Sequence, residues 1–258
     1  MQLENRVVLI TGAGRGIGKA IALGYAREGA SIAAVARSEA ELKALEEQIQ
    51  SMGRRAVSIT ADLTRPAAPR RIVEQVVETL GTIDVLVNNA GVGSAPSPRP
   101  VVEFDDEFWN YTMALNLSAP YYFCKATIPI MLNKKRGRIV NIASLASKIG
   151  LLHGVAYAAS KHGLLGLTRT LAVELAGAGI MVNAICPGPV RTEMNEKRMQ
   201  YDAERLGTTV QDLDKRITPI GRRLEPDEIV PMAVLLATDA CSGITGQAFN
   251  IDGGLVMF

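Results

Sequence analysis

Short apolar runs recur along this chain, and each run except the last is followed by a segment whose apolar residues return every three or four positions. The runs are apolar at consecutive positions, as strands are when helices cover both faces of a parallel sheet. Such an alternation predicts an α/β fold. The seven predicted strands are Val7–Thr11, Ser31–Ala36, Ala56–Thr60, Asp84–Asn88, Arg138–Ala143, Ile180–Ile185 and Gln247–Ile251. The six predicted helices are Gly16–Glu28, Glu39–Met52, Ala67–Leu80, Phe104–Leu132, Tyr157–Ala176 and Pro226–Thr238.

The alternation runs over residues 1–258 without a linker, a charge block or a repeat that would divide the chain. It predicts a single domain with a Rossmann-type, doubly wound parallel sheet of about seven strands and helices on both faces. One polar stretch, residues 194–222, interrupts the rhythm between the sixth strand and the last helix. Because such sheets bind ligands beyond the carboxyl ends of their strands, we expect this insertion to be a substrate lid. A surface excursion or a subunit contact is the alternative.

The composition argues against several classes of protein. The formal net charge is +2 with dispersed basic residues, unlike the basic surface of a nucleic-acid binder. Cys124, Cys186 and Cys241 lie far apart, and with two histidines in the chain they form no metal-ligand pattern. No apolar run reaches the roughly 18 residues of a membrane span, and the N-terminal residues lead directly into a strand, leaving no room for a signal peptide. We expect a reduced, cytoplasmic enzyme without metal, membrane or nucleic-acid partners.

A glycine-rich turn follows the first strand and opens the first helix. It reads T-G-x-x-x-G-x-G, whereas the strict G-x-G-x-x-G fingerprint fails at its third glycine. Glycines permit a tight turn and a close approach to a pyrophosphate, and the helix N-terminus offers its amides and dipole to that group. The strand–turn–helix context therefore predicts a dinucleotide site. The residues assigned to this turn are Gly12, Arg15, Gly16, Ile17 and Gly18.

The end of the second strand indicates which nucleotide binds. An NAD enzyme places an acidic side chain here to hold the ribose 2′-hydroxyl. This strand ends in Ala36 and Arg37 instead, with no carboxylate. Arg37 can form charge-assisted hydrogen bonds with a 2′-phosphate, and Arg15 adds a second cation nearby. The pattern favours NADP(H), while NAD(H) stays possible.

With further motifs added, the chain resembles the short-chain dehydrogenase/reductase family from end to end. The motifs, in the family's order and spacing, are Thr11–Gly18, Asp62-Leu63, Asn88-Asn89-Ala90-Gly91, Asn116, Ser144, Tyr157-Ala158-Ala159-Ser160-Lys161, Pro187-Gly188, Thr192 and Asp252-Gly253-Gly254. The resemblance implies that Asp62 and Leu63 contact the adenine. It also implies a cofactor-binding set that includes Asn89, Ala90 and Gly91 on the adenosine side, Tyr157, Lys161, Pro187 and Gly188, and Val190 and Thr192 against the nicotinamide carboxamide.

Four polar residues carry the expected chemistry. Tyr157 and Lys161 are four apart on a predicted helix, so they share a face. A phenol with a pKa near 10 is a poor base at neutral pH, and we expect the Lys161 ammonium to lower it so that Tyr157 exchanges a proton with the substrate oxygen. Ser144 would hydrogen-bond that oxygen as charge develops. By the resemblance, Lys161 also binds the nicotinamide ribose, and Asn116 holds a water that passes protons toward Lys161.

Three other readings compete with this one. A nucleotide-binding regulator without chemistry predicts damage at Ser144, Tyr157 or Lys161, and all three are intact. An NAD-dependent sugar or alcohol dehydrogenase of the same family survives, because another loop pose could turn Arg37 away from the ribose. A structural protein or nucleic-acid binder has no supporting feature. His162 is expected to be structural, and for His153 a contact with substrate and an ordinary loop position are weighed equally.

The substrate is the least determined feature. The chain is similar to 3-oxoacyl reductases and equally to secondary-alcohol and polyol dehydrogenases, and the resemblance implies a homotetramer. Carrier-dependent reductases of the family present arginines at two positions, which here hold Lys135 and Ala178. We therefore expect a free ketone or alcohol rather than a carrier-bound acyl group. The residues expected to enclose its apolar body are Met194, Met199, Tyr201, Leu151, Leu152 and His153.

Overall fold

The computed structural model describes residues 1–258 and contains one sheet of seven parallel strands. The strands are β1 Val7–Thr11, β2 Ser31–Ala36, β3 Ala56–Thr60, β4 Val85–Asn88, β5 Gly137–Ile142, β6 Ile180–Pro187 and β7 Ala248–Ile251. Their spatial order is β3-β2-β1-β4-β5-β6-β7, with every neighbouring pair parallel. The predicted doubly wound sheet is confirmed, and the order reverses direction between β1 and β4. Ligands of such sheets bind in the crevice at this reversal.

Helices cover both faces of the sheet. They are α1 Gly16–Arg27, α2 Glu39–Ser51, α3 Ala68–Leu80, α4 Asp106–Met113, α5 Ala119–Lys134, α6 Val155–Leu175, α7 Glu193–Arg205, α8 Val210–Asp214 and α9 Val230–Ala237. The single helix predicted over Phe104–Leu132 was wrong in one respect: a π-helical segment, Ala114–Ser118, separates α4 from α5. The periodic pattern could not reveal this segment, because one wider turn barely disturbs the spacing of the apolar residues.

Two apolar cores lie on opposite faces of the sheet. In β1 the side chains alternate, with Val8 and Ile10 in one core and Val7 and Leu9 in the other. The first core packs α1, α2 and α9 against the sheet, and the second packs α3, α5 and α6. Because both faces are buried, the strands show continuous apolar runs instead of alternation. No helix combines the length and apolar character that a bilayer crossing requires.

The polar insertion leaves the sheet after β6 and folds as a small helical unit. The Arg191 amide donates to the Leu224 carbonyl at 2.8 Å, and the Leu224 amide donates to the Pro189 carbonyl at 2.9 Å, so the two legs of the insertion are paired. Between them α7 and α8 share a core of their own, formed by Met199, Ala203 and Leu213. The insertion thus spans residues 191–223, slightly more than the predicted 194–222, and lies at the carboxyl end of the sheet.

Candidate active site

The glycine turn after β1 is held by side chains from the segment after β4. The Thr11 hydroxyl accepts hydrogen bonds from the amides of Asn89 and Ala90 at 3.0 and 3.1 Å. The Asn89 side chain donates to the carbonyls of Thr11 and Gly12, both at 3.0 Å. A Cβ on Gly12 would lie 2.8 Å from the Ala90 Cα, and one on Gly18 would overlap the Gly12 carbonyl. Asn89 therefore positions the turn, and glycine is required where the two segments touch.

The N-terminus of α1 fits the pyrophosphate of a dinucleotide. No side chain caps this helix, and its first turn has no acidic residue, so its amides are free to bind an anion. A cleft of about 1130 Å³ opens at this point and continues past the carboxyl ends of β4, β5 and β6. The predicted site residues that line it are Gly12, Arg15, Gly16, Ile17, Arg37, Asp62, Leu63, Asn89, Ala90, Gly91, Ser144, Tyr157, Lys161, Pro187, Gly188, Val190 and Thr192.

The two candidate cations for a 2′-phosphate differ in their partners. Arg37 is exposed at the end of β2, has no carboxylate partner, and donates from Nη1 to the Tyr111 hydroxyl at 3.1 Å. Arg15 instead forms an ion pair with Glu193, the first residue of α7, and lies 3.9 Å from Glu41. Arg37 is therefore the cation that is free to bind an anion. Arg15 instead links the glycine turn to the insertion.

Asp62 lies in a turn after β3 and lines the cleft. Its carboxylate accepts from the Thr64 amide at 3.1 Å and from the Thr64 hydroxyl at 2.8 Å. These hydrogen bonds lower the pKa of the Asp62 carboxyl. Asp62 is thus held as an anion in a rigid turn beside Leu63, which is buried.

Tyr157, Ser144 and Lys161 meet on one wall of the cleft, where β5 ends and α6 begins. Ser144 is buried and starts a short helical turn, its Oγ accepting from the Ala146 amide at 3.1 Å. Lys161 is also buried, and its Nζ donates to the Ile142 carbonyl at 2.8 Å. The Nζ lies 5.9 Å from the centre of the Tyr157 ring. The four-residue spacing on α6 therefore brings the phenol and the ammonium together as expected.

Burial shifts both groups toward their uncharged forms. It raises the pKa of Tyr157, while a hydrogen bond with Ser144 acts in the lowering direction. It lowers the pKa of Lys161 to about 8. The expected lowering of the tyrosine pKa was therefore wrong for this arrangement, because desolvation of the phenolate is the largest influence on that pKa.

Asn116 lies in the π-helical segment and is fully buried, outside the wall of the cleft. Its Oδ1 accepts from the Val92 amide at 2.8 Å, and its Nδ2 donates to the Val92 carbonyl at 2.9 Å and to the Ser160 hydroxyl at 3.1 Å. The side chain thus ties α6 to the segment after β4. These contacts give Asn116 a positioning role, and the expected water relay stays a prediction. Single-turn π segments are frequent at functional sites.

The insertion places its side chains differently from the expectation. Met194 contacts Gly93 across the cleft, and Leu151 lines the opposite wall. Met199 also lines the cleft but is buried mainly in the insertion's own core. His153, Leu152 and Tyr201 do not line it, and the His153 ring hydrogen-bonds the Tyr201 hydroxyl. A direct contact of His153 with substrate therefore has no support, because the residue does not line the cleft.

Sequence reasoning missed three polar residues of the cleft. These three are among several unpredicted polar residues that line the cleft: Arg198 and Asp202, four apart on α7, and Ser94 in the segment after β4. The i,i+4 spacing of opposite charges could have marked the pair, but it is also the usual pattern of a solvated helix face.

The fold and this site define a class: a doubly wound α/β oxidoreductase with a dinucleotide cleft at the reversal of strand order. Residues 6–203 match the family model described as short chain dehydrogenase. The chain belongs to the short-chain dehydrogenase/reductase family, which confirms the expected membership, and is an oxidoreductase that acts on CH–OH groups.

Three relatives illustrate the range of the family. The chain is 37% identical over 257 residues to the 3-oxoacyl-[acyl-carrier-protein] reductase of Thermotoga maritima, covering 100% of both chains. It superimposes on an actinorhodin polyketide ketoreductase with NADPH at a TM-score of 0.93, with 36% identity and 100% and 99% of the two chains covered. It superimposes on NAD+-bound xylitol dehydrogenase at a TM-score of 0.92, with 32% identity and 98% and 100% covered.

Proposed function

We propose that this protein transfers a hydride between NADP(H) and a free ketone or secondary alcohol. The observation that carries the cofactor assignment is the Arg37 guanidinium, which stands at the end of β2 with no carboxylate beside it. A carboxylate at this point would repel a 2′-phosphate, whereas an arginine binds it by charge-assisted hydrogen bonds. The solved relative with NADPH supports the same assignment.

The chain's own residues supply orientation and a proton. When bound, the dinucleotide supplies the hydride. Tyr157, whose raised pKa keeps the phenol protonated at neutral pH, donates its proton to the developing alkoxide. The Ser144 hydroxyl donates a hydrogen bond to the same oxygen, and the Lys161 ammonium stabilises the phenolate that forms. In the oxidation direction Tyr157 accepts the proton.

A second candidate is an NAD(H)-dependent dehydrogenase of the same reaction class. The observation in its favour is the ion pair between Arg15 and Glu193, which draws one of the two expected cations away from the ribose. The NAD+-bound xylitol dehydrogenase shows that a similar fold serves this cofactor. Initial rates with NADPH and NADH on the same ketone separate the two candidates.

Replacing Tyr157 with phenylalanine tests the proposed chemistry. The ring is kept, so packing and nucleotide binding should survive, while the proton donor is lost. General acid–base catalysis contributes roughly 10²–10⁴ in rate, so kcat should fall by at least that factor. NADPH binding, followed by fluorescence, serves as the control. Near-normal turnover by Tyr157→Phe would remove this residue from its role.

We also propose a homotetramer, since Tyr121 and Leu132 on α5 and Val173 on α6 expose apolar surface that a neighbouring subunit would cover. A molar mass of about four times that of one chain, measured by light scattering, would support this assembly.

We also propose a cytoplasmic location, because the three cysteines are buried and unpaired.

A further inference from the structure

A partly buried ion pair on α7 forms part of the cleft wall. The Arg198 side chain is 13% exposed and that of Asp202 is 20% exposed, joined by an Nε–Oδ2 contact of 2.7 Å and an Nη2–Oδ1 contact of 3.0 Å. Both residues line the cleft. Surface pairs at this spacing are ordinary, but a desolvated pair facing a cleft needs a ligand or a structural reason.

This pair lines the same cleft as the reacting groups and contacts the segment after β4. Arg198 Nη1 donates to the Ser94 hydroxyl at 3.0 Å. Ser94 lies three residues after Gly91 in the chain. A Cβ built on Gly91 would lie 3.7 Å from Lys161 Nζ. Three extended residues span at most about 11 Å. The same segment carries Gly93, which contacts Met194. The segment after β4 therefore connects the surroundings of the Lys161 ammonium with the hydroxyl that Arg198 binds.

The hydrogen bonds of the pair leave one donor and one acceptor unused. Arg198 has five N–H groups, and four are bound: two by Asp202, one by Ser94 and one by the Leu152 carbonyl at 3.0 Å. One N–H on Nη1 is left. The Asp202 Oδ2 accepts only from Arg198, while Oδ1 also accepts from Arg205 at 3.4 Å. Oδ2 thus has a free lone pair.

A free donor and a free acceptor, on a pair with no net charge, match hydroxyl groups, which both accept and donate. A substrate carboxylate would be repelled by Asp202. An alkyl group would leave two partly buried polar atoms without a partner, and sites built for a hydroxyl reject analogues that lack it. Met194 and Leu151 supply the apolar contacts for the carbon chain beside it.

We propose that Arg198 and Asp202 are specificity-determining residues that bind a hydroxyl of the substrate, so that the substrate class is a hydroxylated ketone or the corresponding polyol. This inference rests on the proposed oxidoreductase function. It assigns recognition to the insertion, whereas the chemistry belongs to α6 and the segment after β5.

The test compares two ketones with the same carbon skeleton, erythrulose and butanone, by their kcat/KM with NADPH. The variants are Arg198→Met, which keeps the length of the side chain, and Asp202→Asn, which keeps its shape. Arg205→Met is the matched control, because Arg205 touches Asp202 but does not line the cleft. Circular dichroism and NADPH binding report on folding.

The wild-type enzyme is expected to favour erythrulose by at least about ten-fold, the range expected when a polar group in a binding site loses its partner. Arg198→Met and Asp202→Asn should each lower the ratio of the two kcat/KM values toward one, and Arg205→Met should keep it.

A fall of both kcat/KM values by the same factor would show that the pair only holds the insertion closed and would overturn the proposal. A ratio of the two kcat/KM values near one in the wild-type enzyme would also overturn the proposal. If the wild-type enzyme reduces no ketone and oxidises no alcohol with either nicotinamide nucleotide, the proposed oxidoreductase function fails first. This inference then fails with it.

Discussion

Arg37 and Arg15 both line the cleft, yet they differ in the side chains that they bind. Arg37 has only a neutral partner, the Tyr111 hydroxyl. Arg15 shares its charge with Glu193 and Glu41. A contact between a guanidinium and a phosphate loses little when the guanidinium is otherwise free, and loses more when an existing ion pair must open. The residue with the greater influence on cofactor choice should therefore be Arg37.

Arg37→Ala should weaken NADPH binding about ten-fold or more and change NADH binding little. A hydrogen bond to a charged group contributes about 1.5–3 kcal/mol, which corresponds to at least that factor. Arg15→Ala should have a smaller effect. Dissociation constants from fluorescence titration check this, with Arg70→Ala, an exposed arginine on α3 outside the cleft, as the control. Tighter binding of NADH than of NADPH by the wild-type enzyme would show that the ribose has another anchor.

The buried Lys161 predicts a pH dependence. Its pKa is lowered to about 8, so its ammonium is present below that pH and is lost as the pH rises through it. Proton donation by Tyr157 leaves a phenolate that needs this charge. The kcat/KM for ketone reduction should therefore be highest below pH 8 and fall above it, while oxidation, which needs the phenolate, should gain with pH. Profiles of both directions measure this; a reduction rate that climbs through pH 8 would contradict it.

At the scale of elements, ion pairs hold the two legs of the insertion against α7 and α8. Arg223 is buried and pairs with Asp214 at 2.9 Å and with Glu196 at 2.7 Å, and Arg191 pairs with the same Asp214. These contacts join both legs of the insertion to α7 and α8. The α7–α8 core is small, so its position over the cleft depends on this network.

Arg223→Met should loosen the insertion. Removing one partner of a buried ion pair costs about 3–5 kcal/mol, because the remaining charge is left uncompensated. Faster hydrogen exchange over residues 193–214 and a several-fold higher KM for substrate are expected, with NADPH affinity changed less. Arg222→Met is the matched control, since the neighbouring Arg222 is exposed and pairs with Glu228 outside the insertion. Unchanged exchange in Arg223→Met would mean that the α7–α8 core alone holds the insertion.

At the scale of the whole molecule, the basic turn before β5 and the cleft lie at opposite ends of the sheet. Lys134 is bound by Asp84 and Thr82, and Arg136 is bound by Asp239, so Lys135 alone is free of a carboxylate. The turn is followed by β5, whose six residues span roughly 20 Å to the cleft. An acidic carrier has little charge to bind there.

We therefore expect a 3-oxoacyl chain to react about equally well on a carrier protein and on a short thioester. The comparison is of kcat/KM for the two forms at matched chain length, with Lys135→Ala as a variant that should not change their ratio. A carrier advantage beyond about ten-fold, or ~1.4 kcal/mol of extra transition-state binding, would contradict the proposal of a free substrate.

The sequence by itself determined the sheet, its helices and the order of the motifs, because these follow from local periodicity and from chemistry at fixed spacings. The strands β1, β2 and β3 match their predicted bounds, and Tyr157 and Lys161 meet because four residues make about one helical turn. The direction of the tyrosine pKa was not accessible in this way, since desolvation depends on what the fold packs around the phenol.

Only the tertiary structure decided which polar groups are already bound. It brought Glu193 to Arg15 across 178 positions of sequence, turned the amide of Asn116 toward Val92, and paired His153 with Tyr201. It also buried Arg198 and Asp202 against the cleft, where spacing alone indicated a solvated helix face. The reason is physical: a local pattern fixes the face of a helix on which a side chain lies, whereas its partner and its desolvation are set by elements distant in sequence.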